Sequence, residues 1–229
     1  MKMVFMKKLI IQLIIRLVLA AVGISGIVIT VISSSSIGQS KAFLYFTIQS
    51  NITIILVELL FAFDALLQLL GKKSFVSNAH LLVKYLFTVA ITITFLVFVS
   101  MLAPTLGMNY LLSYGNFSLH FIVPILALID FFVFNNDIRL TKFNCLFGIA
   151  MPIYYMFFFL AGIPLGVRYI NNDIAPYFFL NYEQITWFNF TSKGPGVFYW
   201  LIILTAGIVG LCYLFYLFMW LRQKPRKKV

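Results

Sequence analysis

Hydrophobic residues fill six long stretches of this 229-residue chain, and most charged residues lie between them. Each stretch holds 17 to 26 residues, and about 20 apolar residues suffice for a helix to cross roughly 30 Å of hydrocarbon. Backbone polar groups must be paired inside a membrane, and the stretches lack the period-two alternation of barrel strands. Helices are therefore predicted over residues 9–33, 45–70, 85–105, 118–134, 143–163 and 197–221.

The composition supports this pattern, because 62% of the residues are hydrophobic and only 10% are charged. A soluble domain of this length could not bury so much apolar surface. We therefore predict an all-α fold, a single integral-membrane bundle of six transmembrane helices over residues 1–229. The first stretch is longer than the core of a secretion signal, which spans about 7–15 residues, so it is expected to stay in the mature protein.

The formal net charge of +11 is distributed unevenly along the six predicted spans. Thirteen of the 17 Lys and Arg residues fall on one side of such a path, and only Lys41, Arg168 and Lys193 on the other. The positive-inside rule then predicts a multi-pass protein of the cell membrane with both termini in the cytoplasm. Membrane lipids are the expected partners, no nucleic acid is expected, and protein partners are not indicated. The thirteen are Lys2, Lys7, Lys8, Lys72, Lys73, Lys84, Arg139, Lys142, Arg222, Lys224, Arg226, Lys227 and Lys228.

Three charged residues, Arg16, Asp64 and Asp130, lie inside the predicted helices at similar depth. At 1.5 Å per residue they are about 6 to 10 Å from the inner ends of their helices. A buried charge needs a partner, so an Arg16–Asp64 ion pair is predicted, which Asp130 can share. Because only one basic residue lies at this level, a structural clamp is favoured over a proton or ion relay.

A polar stripe runs down the second predicted helix. Thr47, Asn51, Ile54 and Glu58 follow the spacing i, i+4, i+7, i+11, which places them on one helix face. Such a face is expected to point into the bundle rather than into lipid. His120 lies two residues inside the fourth predicted helix, as Thr47 does in the second. Both helices start on the outer side, so the two side chains are expected at the same depth.

Ser118 is placed at the cap of the fourth predicted helix, just before His120. A threonine hydroxyl becomes a nucleophile when a neighbouring base removes its proton, and histidine is the usual base. Asn51 or Ser50 could then donate to an oxyanion or orient the pair. The alternative is that Thr47 caps its helix and His120 is an interfacial residue, which is the commoner outcome for so short a pattern. No metal or organic cofactor is implied, since no cluster of ligands is present.

Two segments resemble the bacterial six-helix proteins of the Pr-six-Pr family. They are 45–51, YFTIQSN, and 120–130, HFIVPILALID, and the resemblance continues through 130–134 and 176–181. These proteins are similar to the androgen-induced and androgen-dependent-TFPI-regulating membrane proteins, threonine hydrolases that cleave esters of fatty acids with hydroxy fatty acids. The resemblance implies a Thr47 nucleophile and a His120 base, although the residues after the threonine differ from those of the eukaryotic enzymes.

Two other classes fit the sequence poorly. His80 and His120 are about a bilayer thickness apart and could not hold one haem, and no internal repeat suggests a transporter. The aromatic-rich loop 164–196 is interpreted as an interfacial belt or as a cover that admits acyl chains. The predicted function is hydrolysis of lipid esters with Thr47 as nucleophile and His120 as base, and the alternative is a non-catalytic lipid-binding or scaffolding membrane protein.

Overall fold

The computed structural model describes residues 2–34, 39–135, 138–192 and 194–223. The fold is 80% helical, and the described residues form no β-strand. Six helical stretches are long and apolar enough to cross a membrane, which confirms the prediction of an all-α, multi-pass membrane protein. These spans are Met3–Ser33, Phe46–Leu69, Asn78–Thr105, Tyr114–Phe134, Asn144–Gly162 and Val197–Gln223.

Several spans combine α-helix with other helical geometry. The third span continues from α3 through the π-helix Phe98–Leu102, and the fourth contains the π-helix Ser118–Ile122 between α5 and α6. The fifth begins with the 3-10 helix Asn144–Ile149 before α7. The α-helices are α1 Lys2–Ser33, α2 Phe46–Leu69, α3 Asn78–Val97, α4 Met108–Leu111, α5 Tyr114–Phe117, α6 Val123–Phe134, α7 Ala150–Gly162, α8 Tyr182–Ile185 and α9 Val197–Gln223.

Three spans begin earlier than the hydropathy pattern predicts, and the first of them begins at Met3 rather than at residue 9. The third span begins at Asn78 rather than at residue 85, because Ser77 forms its N-cap and the Ser77 N–H donates to Nδ1 of His80 (3.1 Å). The fourth begins at Tyr114, so the prediction that Ser118 caps it is wrong. The Ser118 hydroxyl instead donates to the carbonyl of Tyr114 (2.6 Å) inside the helix.

The six spans run alternately up and down, so the first and last described residues, Lys2 and Gln223, lie at one end of the bundle, called here the terminal end. The opposite end, called the loop end, carries the segments that precede α2 and α9. The helix α3 lies at the centre and packs against α2, α6, α7 and the Asn144–Ile149 segment. Its residues Val89, Ala90 and Ile91 are fully buried. By contrast, α9 packs mainly on Asn144–Ile149 and buries few of its own residues.

The loop between α7 and α9 folds over the loop end. Its Tyr169, Phe179 and Leu180 form a buried apolar cluster with Phe159 of α7 and Val197 of α9. Aromatic side chains bury large apolar areas and therefore hold this irregular segment in place. The loop therefore forms one wall of a cavity between itself and the membrane-spanning helices.

Gly148 of the fifth span lies in close contact with Cys212 of the sixth. A Cβ at this position would lie 2.7 Å from Sγ of Cys212 and 3.0 Å from Val89. Because both neighbours are buried, we expect Gly148→Ala to lower the free energy of unfolding by about 1–3 kcal/mol. Gly210→Ala on α9 is the matched control, since nothing lies within 4 Å of its added Cβ. Thermal unfolding in detergent tests this, and equal Tm values for the two variants would contradict it.

Candidate functional site

Thr47 is the second residue of α2 and lies at the loop end. The N-cap position belongs to Tyr45, which makes no side-chain capping bond, so the interpretation of Thr47 as the cap is wrong. Thr47 is partly buried and lies on the wall of two cavities. Its hydroxyl is therefore placed beside space that a ligand could occupy.

His120 lies in the π-helix Ser118–Ile122, and Pro124 follows two residues after the end of that helix. Pro124 has no N–H and cannot donate to the carbonyl of His120 four residues earlier. The chain widens here into a π-turn, in which the N–H of Val123 reaches the carbonyl of Ser118. Such π-bulges occur frequently at functional sites because they re-aim side chains. The local sequence therefore accounts for the unusual backbone at His120.

The His120 imidazole is held by stacking. Its ring lies 3.7 Å from the ring of Phe98 with an interplanar angle of 13°, and Phe98 itself begins a π-helix. The backbone of Thr94 is a further polar neighbour of the imidazole. The Nδ1 atom is buried and finds no hydrogen-bond partner among the described residues. A buried nitrogen without a partner is available to accept a proton from a bound group.

The larger cavity, of about 310 Å³, is lined by both Thr47 and His120. It extends from these two residues to α7 and α9 and is covered by the loop at the loop end. Most of its wall is apolar, which suits a hydrocarbon chain. Apolar lining residues include Ile93, Val97, Leu102, Ile153, Leu201 and Leu204.

The smaller cavity, of about 120 Å³, is also lined by Thr47 and His120. Its other wall residues are more polar and include Ser34, Lys41 and Asn116. All three are partly exposed at the loop end, so this cavity faces the aqueous side of the fold. Thr47 and His120 therefore separate an apolar chamber from a polar one. No hydrogen bond joins Thr47 and His120 within the described ranges, and what the two residues share is the lining of both cavities.

The predicted oxyanion role of Asn51 and Ser50 is wrong, because their donors are already used. The Asn51 amide donates to the carbonyl of Thr47 (2.8 Å) and to that of Leu119 (3.2 Å). The Ser50 hydroxyl contacts the Thr47 carbonyl (3.1 Å) and the Thr94 hydroxyl (2.7 Å). The Asn51 amide instead links the carbonyl of Thr47 to that of Leu119, the residue before His120. This arrangement fits the alternative prediction that Asn51 orients the pair.

Tyr177, on the covering loop, lines the larger cavity and places a phenol hydroxyl beside Thr47, and the sequence did not predict this neighbour. Removal from water raises the pKa of Tyr177 to about 12, and the nearby side chain and backbone of Thr47 oppose this shift in part. The phenol is therefore neutral and keeps its proton at ordinary pH. The segment 176–181 contributed to the family resemblance, but nothing in its pattern pointed to a contact with Thr47.

A second polar cluster lies deeper in the bundle and joins four spans. Arg16 Nε donates to Asp130 (2.9 Å) and lies 3.6 Å from Glu58. Lys84 Nζ donates to Glu58 (2.8 Å) and also contacts Asp130. Arg16 donates in addition to the carbonyl of Phe61 (2.8 Å). All four charged side chains are at most 4% exposed, and two cations balance two anions.

The predicted Arg16–Asp64 ion pair is wrong, whereas the contact between Arg16 and Asp130 forms. Asp64 accepts hydrogen bonds from Gln68 (2.6 Å), from the Ser74 hydroxyl (3.0 Å) and from the N–H of Phe75 (2.9 Å). These donors belong to the last turn of α2 and the loop that follows it. Asp64 therefore anchors the turn, and its charge is satisfied without Arg16.

Lys84 is the residue of this cluster that the sequence analysis placed in a loop. It is fully buried in α3, so it does not belong with the thirteen basic residues assigned to one membrane face. The missed signal was Ser77, because a helix capped there places Lys84 inside the span. Glu58 lies on the predicted inward stripe of α2, and the burial of Asn51, Ile54 and Glu58 confirms that stripe.

These features define a multi-pass membrane protein with an apolar, acyl-chain-compatible cavity and a threonine and a histidine on its wall. No protein-family model matches the chain, and neither the curated proteins nor the solved structures contain a match. The function is therefore argued from the site itself.

Proposed function

We propose that the protein is an integral-membrane hydrolase of lipid esters, with Thr47 as nucleophile and His120 as general base. The observation that carries the proposal is the position of both residues on the wall between two cavities. The apolar cavity suits the acyl chain of an ester, and the polar cavity suits water and the alcohol product. A carbonyl placed between the chambers would contact both side chains.

In the first step, Nδ1 of His120 takes the proton from the Thr47 hydroxyl while Oγ forms a bond to the acyl carbon. The tetrahedral intermediate then collapses, the ester C–O bond breaks, and His120 gives the proton to the leaving alcohol. This leaves an acyl group on Thr47. The absence of a partner for Nδ1 among the described residues supports its role as proton acceptor.

In the second step, water attacks the acyl-enzyme. His120 takes a proton from that water and returns it to Oγ of Thr47, which releases the fatty acid. The small cavity supplies a route for this water, because its Lys41 and Asn116 are partly exposed at the loop end. Tyr177 donates a hydrogen bond to the oxyanion in both steps and keeps its proton. Asn51 acts as a positioning residue through the carbonyls of Thr47 and Leu119.

The proposal includes the orientation of the protein in the membrane. Lys72 and Lys73 follow α2 at the terminal end, where α1 also begins and α9 ends, and the loop end carries few basic residues. The positive-inside rule then places the terminal end in the cytoplasm and the site near the outer face of a cell membrane. The resemblance to the Pr-six-Pr proteins and the related threonine hydrolases agrees with this assignment, and membership of that group is part of the proposal.

A non-catalytic lipid-binding or scaffolding role is the second candidate. It is favoured by the large apolar cavity, which could hold an acyl chain whether or not Thr47 reacts. This role predicts that Thr47 and His120 can both be replaced without loss of lipid binding or of function.

A fluorophosphonate probe distinguishes the two candidates, because it labels an activated hydroxyl covalently. We expect labelling of the purified protein in detergent, loss of labelling in Thr47→Ala, and a fall of about 10²- to 10⁴-fold in the labelling rate in His120→Ala. The measurement is the rate of probe incorporation, with the labelled residue identified by mass spectrometry.

Thr53→Ala is the matched control, since its hydroxyl lies on the same helix but is bonded to the carbonyls of Gln49 and Ser50 (both 3.0 Å). It is expected to label at the wild-type rate. Elution as a single species in size exclusion shows that each variant is folded. Labelling that persists in Thr47→Ala, or an unlabelled wild-type protein that still binds lipid, would overturn the hydrolase assignment.

A further inference from the structure

We propose that a membrane lipid reaches Thr47 sideways from the bilayer, through an opening between α7 and α9, and that its acyl chain occupies the large cavity. This inference rests on the proposed function for its chemistry, but it concerns the path and the class of substrate. It implies a substrate that resides in the bilayer rather than a water-soluble ester.

The far wall of the cavity is built from one face of each helix. Leu201, Leu204, Thr205 and Ile208 line it from α9 at the spacing i, i+3, i+4, i+7. Ile153 and Met156 line it from α7. The two faces flank the cavity at the edge of the bundle, on the side opposite Thr47 and His120.

Two of these lining residues also belong to the outer surface. Ile153 is 51% exposed, and Thr205 is also exposed. A side chain that contributes both to the cavity wall and to the outside of the bundle marks a place where the wall is open. Ile153 and Thr205 are level with each other, since each lies about 12 to 14 Å from the loop-end terminus of its helix.

The opening is bounded above and below by close contacts. Toward the loop end, Phe159 of α7 and Val197 of α9 belong to one buried cluster. Toward the terminal end, Gly148 lies against Cys212. Between these contacts the helices flank the cavity. The result is a window rather than an open cleft.

In a membrane, this window faces the acyl chains of the surrounding lipids. The surrounding surface is apolar and exposed, with Phe157 69% exposed and Ile202 53% exposed, and both residues lie in membrane-spanning helices. One leaflet of hydrocarbon is about 15 Å thick, so the window opens into the leaflet at the loop end. A lipid of that leaflet could place its ester near Thr47 while its chain remains at the depth of the window.

The test uses vesicles that contain a phosphatidylcholine with a photoreactive diazirine near the end of one acyl chain. Phe98 is 2% exposed, so a cross-link to it reports a chain inside the cavity. We expect such a cross-link in the wild-type protein and a loss of about tenfold in the double variant Ile153→Trp with Thr205→Trp, whose indoles fill the window. Mass spectrometry of the cross-linked peptides gives the yield.

Ile203→Trp is the matched control, because it adds an indole to the lipid-facing side of α9 away from the cavity wall. It is expected to leave the Phe98 cross-link unchanged. A wild-type protein without that cross-link, or a double variant with an undiminished one, would overturn the proposed path. The double variant must elute as a folded species, and single Trp variants that each reduce the yield part-way provide a second series if it does not.

The cross-link requires no ester cleavage, so it separates this inference from the proposed function. A cross-linked but unlabelled protein would support the window and contradict the hydrolase. A protein that reacts with the fluorophosphonate at Thr47 but gives no cross-link at Phe98 would support the hydrolase and contradict sideways access.

Discussion

Replacing Lys84 by methionine is expected to lower the free energy of unfolding by about 3–5 kcal/mol, which is the usual cost of breaking a buried ion pair. Lys84 is fully buried and contacts both Glu58 and Asp130. Without it, the two carboxylates face only Arg16, and one negative charge is left uncompensated inside the bundle. The apolar methionine fills similar space, so the loss would come from charge rather than from a cavity.

A second substitution separates charge balance from packing. In the Lys84→Met background, Glu58→Gln removes the uncompensated charge and leaves the Arg16–Asp130 pair, so the double variant is expected to recover most of the lost stability. Unfolding by added dodecyl sulfate in mixed micelles measures the three free energies. Lys73→Met, an exposed lysine after α2, is the control and should change little. Wild-type stability of Lys84→Met, or simple additivity of the two substitutions, would show that the cluster does not act through its charge.

On the proposed hydrolase mechanism, replacing Tyr177 by phenylalanine is expected to lower kcat by about 10²- to 10³-fold with little change in KM, as removal of one oxyanion donor does in acyl-transfer enzymes. The phenol lies beside Thr47, and because removal from water raises its pKa to about 12, it remains a donor through ordinary pH. The variant keeps the ring and loses only the hydroxyl. Turnover of a long-chain ester in detergent micelles measures both constants.

Tyr169→Phe is the control for this prediction. Tyr169 lies on the same loop and packs against Tyr45 with ring centroids 5.6 Å apart, but it is not one of the residues that line the cavity with Thr47. It is expected to retain kcat. An equal loss in both variants would mean that the hydroxyls order the loop, and full activity of Tyr177→Phe would remove Tyr177 from the reaction.

Hydropathy was sufficient to predict the six spans because each crosses the membrane with few charges. Hydropathy misplaced the start of a span where that span contains a charge near its end. Lys84 interrupts the apolar run, so the third helix was started one residue after it, although the N-cap at Ser77 lies two turns earlier. Asp64 was paired with Arg16 by depth alone, but depth does not fix which helix faces which. The packing of α6 against α1 brings Asp130 to Arg16 instead.

Only part of the candidate site could be predicted from the sequence, because helical spacing determines only part of it. Helical spacing placed Thr47 and Asn51 on one face, and that face is local to α2. The placement of His120 depends on a π-turn before Pro124, and that of Tyr177 on a loop of irregular structure. Neither follows from a periodic pattern, because a π-turn interrupts the helical repeat and the position of the loop depends on contacts between residues far apart in the sequence.

The charged cluster also constrains the order in which the spans can be inserted into the membrane. Its members lie on spans one to four, and the balance between Arg16 and Glu58 is lost when Lys84 arrives with the third span and is restored when Asp130 arrives with the fourth. Each isolated charge at the centre of a membrane helix costs about 2.5–3.5 kcal/mol during insertion. A nascent chain that has released only three spans carries Arg16 and Lys84 against Glu58 alone. The first four helices are therefore expected to leave the insertion machinery as an assembled group, with the last two spans added afterwards to a bundle that is already electrically balanced.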